Sequence, residues 1–168
     1  FGLVAVKNVG EGAIDVIIAE RRNGPFTSLF DFCERVDLRK VNKRVLESLI
    51  KCGAFDCTGE PRSRLFAALE DALDYGQRVQ REKADPQLGL FDMGNSPSVV
   101  NTPPLPQIPE WEERERLANE KEALGFYITG HPLQRYEDVL EKFTNATAVA
   151  LKERQDGEAV RIGGTVSS

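Results

Sequence analysis

Gly10 and Gly12 stand directly in front of an apolar stripe at helical spacing, and this arrangement constrains the chain more than any other stretch. Lacking Cβ, both glycines are free to take positive φ, so a tight reversal is expected there, with the amides around Val9, Gly10, Glu11, Gly12 and Ala13 turned outward. Behind the turn, Ala13, Ile14, Ile17 and Ile18 recur at the helical period and predict a helix with one buried face. A short apolar helix over residues 3–7 precedes it. The pattern is helix, glycine hairpin, helix. Its bare N–H groups and the positive helix end suit a phosphodiester oxygen. The same residues would also build a helical hairpin whose glycines only turn the chain.

The second helix should stop near Gly24-Pro25. Thr27 or Ser28 can cap the next, in which Leu29, Phe32, Cys33 and Val36 fall on one face. After a turn at residues 37–41, Asn42 caps a helix bearing Val45, Leu46, Leu49 and Ile50, closed by Gly53 in a left-handed conformation. Two helical hairpins thus stand in tandem over residues 1–56. The second lacks the glycines of the first, so its basic side chains would carry more of any phosphate contact. A packing helix is expected over residues 57–83, with Leu65, Phe66, Leu69, Ala72 and Leu73 inward.

Residues 84–109 hold six of the nine prolines and read as an extended linker. A helical connector follows over residues 110–158. It begins with a helix burying Trp111, Leu117, Ala118 and Leu124 and continues with another over residues 134–143. Val160, Ile162 and residues 164–166 alternate as a strand does. The fold class is mostly α. The apolar opening at Phe1 and the strand cut short at Ser168 lead to the expectation of a piece of a longer protein.

A net charge of −5 argues against a general nucleic-acid binder, but the charge is uneven. Residues 1–56 carry nine Lys and Arg against eight Asp and Glu, so the acidic excess lies in the remainder. Arg39, Lys40, Lys43 and Arg44 form the one dense basic cluster, either a phosphate contact or merely a solvated face. Cys33, Cys52 and Cys57 are odd in number with no CxxC pair, and His131 lies far from them, so neither zinc nor disulfides are expected. Cys33 and Cys52 read as small core residues in a reducing compartment, and His131 as a turn or packing residue. No membrane-length apolar run and no signal segment are present in these residues, so no membrane partner is expected and the cytoplasm is the default. No nucleophile–base pair or metal-ligand set points to catalysis.

Within the linker lies Gln87-Leu88-Gly89-Leu90-Phe91, two large apolar side chains on a segment with no core of its own. Leu90 and Phe91 could fold back on neighbouring helices. The pentapeptide also resembles the QLxLF peptides by which bacterial replication and repair proteins hold the sliding clamp, with Gln87, Leu88, Leu90 and Phe91 at the defined positions.

Together with the hairpin, several further stretches resemble the alpha subunit family of bacterial DNA polymerase III, the C-family replicative polymerases. They are Phe1-Gly2-Leu3-Val4-Ala5-Val6-Lys7-Asn8-Val9-Gly10, Gly24-Pro25-Phe26, Val41-Asn42-Lys43-Arg44, Leu49-Ile50-Lys51-Cys52-Gly53-Ala54-Phe55-Asp56 and Leu124-Gly125-Phe126-Tyr127-Ile128-Thr129-Gly130-His131-Pro132-Leu133. The resemblance spans nearly the whole chain. It implies a tandem helix-hairpin-helix unit on double-stranded DNA, an internal motif for the beta sliding clamp, the start of an OB-fold over residues 159–168, and other holoenzyme subunits as partners in the bacterial nucleoid. The family's metal-binding aspartates, and the Mg2+ they imply, lie outside this segment, so the segment itself is expected to be non-catalytic. Many such hairpins have glycine where this chain has Asn8, which tolerates left-handed geometry better than most residues. The expected duplex contacts are Lys7, Asn8, Val9, Gly10, Glu11, Gly12, Arg39, Lys40, Lys43 and Arg44. A structural connector without independent DNA binding, or an error-prone paralogue, fits the same residues.

Overall fold

Helix boundaries follow from caps and breakers that can be named one by one. The computed structural model describes residues 2–84 and 102–164; Gln87, Leu88, Leu90 and Phe91 lie outside the described residues. Secondary structure among the described residues is helical, with no strand. A 3-10 turn, Leu3–Ala5, replaces the helix expected over residues 3–7, because Val6 is already extended (ψ 123°) and turns into the core. Then come α1 (Glu11–Arg21), α2 (Leu29–Arg35) and α3 (Lys43–Lys51), as the spacing predicts. Ser28 accepts the Asp31 amide at 3.0 Å and Asn42 accepts the Val45 amide at 3.1 Å, so α2 and α3 are capped by their own side chains.

The packing helix expected over residues 57–83 is two helices, α4 (Arg62–Ala67) and α5 (Leu69–Ala84), divided at Ala68 and preceded by a 3-10 turn, Asp56–Thr58. Gly59 is left-handed (φ 77°) and Pro61 bounds α4, which delays the helix to Arg62. Helix α5 lies on α2 so closely that a Cβ at Gly76 would meet the Cys33 carbonyl oxygen at 2.4 Å. Gln80 fixes the contact by donating to the Cys33 and Val36 carbonyls, each at 2.8 Å, at the end of α2. Burial pushes the Cys33 thiol up to about 12, which leaves it an inert core group. Cys52 is half-buried.

Helix α1 buries Ala13, Ile14 and Ile17, but Ile18 is 49% exposed, outside the stripe expected to include it. Arg35 closes the other end of α1, donating to the carbonyls of Glu20 (2.6 Å), Gly24 (3.0 Å) and Pro25 (3.2 Å) while its guanidinium lies 4.5 Å from the centre of the Phe26 ring. Phe32 connects Phe26 and Phe55, with ring centres 4.7 and 5.1 Å away. The hairpins therefore share one core.

Ile108 and Pro109, read as linker, and Glu110, read as the start of the next helix, lie against α4, and that helix begins only at Glu113. Arg64 Nε donates to the Ile108 carbonyl at 2.8 Å and Ser63 Oγ to the Pro109 carbonyl at 2.7 Å. The Glu110 carboxylate accepts the amides of Arg62 (2.7 Å) and Ser63 (3.0 Å), supplying from a distance the cap that Pro61 lacks. Helix α6 (Glu113–Leu124) then buries Leu117, Glu120 and Ala123, whereas Ala118, expected inside, is exposed. Its stripe is displaced because Glu120 meets Arg62.

The chain divides into two compact units, Phe1–Phe126 and Tyr127–Ser168. The second contains a 3-10 turn (Gln134–Tyr136), α7 (Glu137–Phe143) and another 3-10 turn (Ala150–Glu153). His131 sits in a turn, Nδ1 accepting the Leu133 amide at 3.2 Å, with Tyr127 edge-on. The strand expected from Val160 onward is not formed in the described residues, which end at Gly164. Arg161 bonds instead to Asn145, through the backbone at 3.0 Å and the side chain at 2.7 Å, a local pairing with no ladder beyond it. No helix among the described residues is long and apolar enough to cross a membrane.

Partial burial raises the Glu110 carboxyl, but the amides of Trp111, Arg62 and Ser63 together pull it further down, below the ordinary value. Glu110→Ala is expected to lower stability to urea at pH 7 by about 1 kcal/mol. A depressed folded-state value means that this stabilisation is whole above about pH 4.3 and disappears as pH falls through the lower folded value. The difference between wild type and variant should therefore close in acid; a difference that persisted there would contradict the capping role.

Candidate nucleic-acid interface

The reversal between the 3-10 turn and α1 is made by Asn8, not by the glycines. Asn8 is the only non-glycine residue with positive φ among the described residues, at 67°, whereas Gly10 has φ −79° and Gly12 is helical. Asparagine bears left-handed backbone at lower cost than most residues, and its Nδ2 also donates to Ser48 Oγ of α3 at 3.0 Å. The first hairpin is thereby joined to the second.

Gly10 serves as the N-cap of α1, and it offers no side-chain oxygen to the first amides. Of the donors expected to face outward, two are occupied: Val9 N–H bonds to the Val6 carbonyl at 3.2 Å and Ala13 N–H to the Gly10 carbonyl at 3.0 Å. The Val9 side chain is buried as well. The free set narrows to Gly10, Glu11 and Gly12, whose amides have no partner among the described residues and whose surfaces are exposed. A Cβ at Gly10 or Gly12 would find no atom within 4 Å, so the approach to these amides is open. Helices α2 and α3, with occupied caps, present nothing comparable.

The basic residues divide in two. Arg39 is clamped to Asp37 at 3.0 and 3.2 Å, and Lys43 Nζ reaches Glu70 Oε1 at 2.5 Å. Each hydrogen bond raises the base above its ordinary value and lowers its acid partner. Lys7, Lys40 and Arg44 are exposed with no ion-pair partner among the described residues. Arg44 lies one turn before Ser48 on α3, hence on the face that meets Asn8, and Lys40 lies in the turn before Asn42. The Asn8–Ser48 bond thus links the stretch that holds Lys7 and the Gly10, Glu11 and Gly12 amides to the helix that carries Arg44. Glu11, exposed in the first turn of α1, stabilises the helix but opposes an incoming anion. Sequence reasoning missed the Asn8–Ser48 bond and the bond from Lys7 N–H to the Ala123 carbonyl at 2.8 Å. Both span too much sequence for a local pattern to disclose.

No group of His, Cys, Asp and Glu among the described residues is arranged to hold a metal ion.

A family model described as the helix-hairpin-helix motif matches residues 1–65. DNA polymerase III subunit alpha of Vibrio cholerae is 38% identical over 99% of this chain, which spans 14% of that relative. The subunits of the same name from Thermus aquaticus and Deinococcus radiodurans are each 46% identical over 84% of the chain, which covers 11% of their length.

Holding a residue in left-handed backbone costs about 1–2 kcal/mol for an ordinary L side chain. Asn8→Ala is expected to destabilise the fold by about that amount together with the lost hydrogen bond, and Asn8→Gly by less, in urea denaturation. Equal losses would contradict the turn geometry.

Proposed function

Over the stretch it spans, the chain belongs to the DNA polymerase III subunit alpha family, and from that premise we propose that its tandem hairpins grip the backbone of double-stranded DNA without reading bases. The supporting observation is the uncapped start of α1: three amides without partners, a glycine at the cap, and an open approach. A phosphate oxygen placed there completes the donors and meets the positive helix end. Lys7, Lys40 and Arg44 supply the surrounding charge, with Arg39 and Lys43 joining where DNA displaces Asp37 and Glu70. Side chains on phosphate oxygens fix position and carry no sequence information.

The same reading gives Gln87, Leu88, Leu90 and Phe91 to a ring-shaped sliding clamp. Burying a Leu or Phe side chain contributes on the order of 1.5–3 kcal/mol, and ordering the peptide offsets part of that. Alone the contact is weak. With hairpins and clamp on one duplex, the second contact becomes intramolecular and the avidity rises. We assign to the parent protein DNA-directed DNA synthesis in the bacterial cytoplasm alongside other holoenzyme subunits, with Mg2+ and the catalytic aspartates outside this segment. The segment contributes hold rather than chemistry.

Titrating a labelled short duplex at several salt concentrations tests the first half. Three neutralised phosphates imply a slope of log affinity on log salt of about −3, with little dependence on sequence. Because Gly10 has an ordinary φ and free space, Gly10→Val should fold while weakening duplex binding about three- to tenfold at matched ionic strength. A chain that only connects domains would give no saturable, salt-sensitive signal. For the second half, joint replacement Gln87→Ala, Leu90→Ala and Phe91→Ala should abolish capture by the cognate clamp and leave duplex binding intact; retained capture would remove the peptide from the account.

A further inference from the structure

Helix α6 lies beyond residues 1–65, the stretch matched by the helix-hairpin-helix motif, yet it closes the first hairpin. In its last turn the Ala123 carbonyl accepts the amide of Lys7 at 2.8 Å, one residue before left-handed Asn8. What holds α6 in place is one turn away. Glu120, fully buried, accepts Arg62 Nη1 at 2.8 Å, and Arg62 is itself only 4% exposed. Asp56 grips the same guanidinium at 2.8 and 2.6 Å, and the Lys51 carbonyl accepts from it at 3.3 Å. Lys51 Nζ in turn reaches Glu122 at 2.8 Å.

Glu120 and Ala123 are three residues apart on one helix, so they share a face and move together. We infer that Glu120 and Arg62 are positioning residues for the nucleic-acid face: they fix α6 so that its Ala123 carbonyl sets Lys7, and with it the register of the Gly10, Glu11 and Gly12 amides. Neither side chain touches a phosphate. The inference rests on the DNA-binding reading above, and it extends the binding unit from the motif to Phe126.

The test uses the whole 168-residue chain with nitrogen-15 label. Amide hydrogen exchange is followed at Lys7 and, as a reporter of the core, at Leu73, alongside duplex titration at two salt concentrations. Glu120→Ala should lower Lys7 protection about tenfold or more while Leu73 stays protected. Duplex affinity should fall about threefold with the salt slope unchanged, since no phosphate contact is removed. Glu120→Gln, which keeps an acceptor toward Arg62, should give Lys7 protection between the two. Unchanged Lys7 protection in Glu120→Ala, or a changed salt slope, overturns the inference. Should Glu120→Ala also lose Leu73 protection, Glu120→Gln decides: Lys7 protection below wild type with Leu73 intact supports the coupling, and wild-type protection refutes it. If wild type itself shows no salt-sensitive duplex signal, the DNA reading fails, while exchange at Lys7 still decides the coupling.

Discussion

One guanidinium organises the N-terminal unit. Arg62 is buried at the start of α4 and joined to Asp56, Glu120 and the end of α3, so four elements separated in sequence must meet at a single planar fork. Such a set gains little net stability over apolar packing, and Asp56 still pairs the guanidinium when Glu120 is lost. Its value is uniqueness of arrangement. Gly53 shows how little slack remains: it is left-handed at φ 80°, and a Cβ there would come within 2.2 Å of Arg62 Nη2. The glycine closes α3 and makes room for the fork at once.

From that fork the structure reads outward to the proposed nucleic-acid face. Glu110 caps α4 beside Arg62, α6 is held by Glu120, and Ala123 holds Lys7. Asn8 then bonds to Ser48, tying the turn to α3. The start of α1 is the place where this chain of satisfied groups stops. Helices α2 and α3 use their own side chains as caps, α4 borrows a carboxylate, and α1 begins on a glycine with its donors bare. Exposed unpaired amides cost little in water, and they need no rearrangement to receive a phosphate oxygen.

Local pattern disclosed much of this. The bounds of α1 to α3, the caps at Ser28 and Asn42 and the closure at Gly53 all follow from propensity and spacing, which act over a few residues. Failures arose where distant groups decide. Gly10 and Gly12 looked like the source of the turn, but Asn8 takes the left-handed position because Ser48 rewards it. Ala118 gave way to Glu120 on the inner face of α6 because a carboxylate with a buried arginine partner can enter a core that periodicity reserves for apolar residues. Of the candidate site, the stretch was legible but the choice among its donors was not: Val9 and Ala13 are satisfied by backbone acceptors, and Arg39 and Lys43 by carboxylates that sequence distance or simple counting conceals.

The most direct measurement follows the amide resonances of the nitrogen-15 labelled chain as short duplex is added at low and moderate salt. Chemical-shift changes concentrated at Gly10, Glu11 and Gly12, with smaller ones at Lys7, Lys40 and Arg44, all reversed by salt, are the result this account requires. Shifts that bypass the start of α1 and gather elsewhere, or none at low salt, would contradict it.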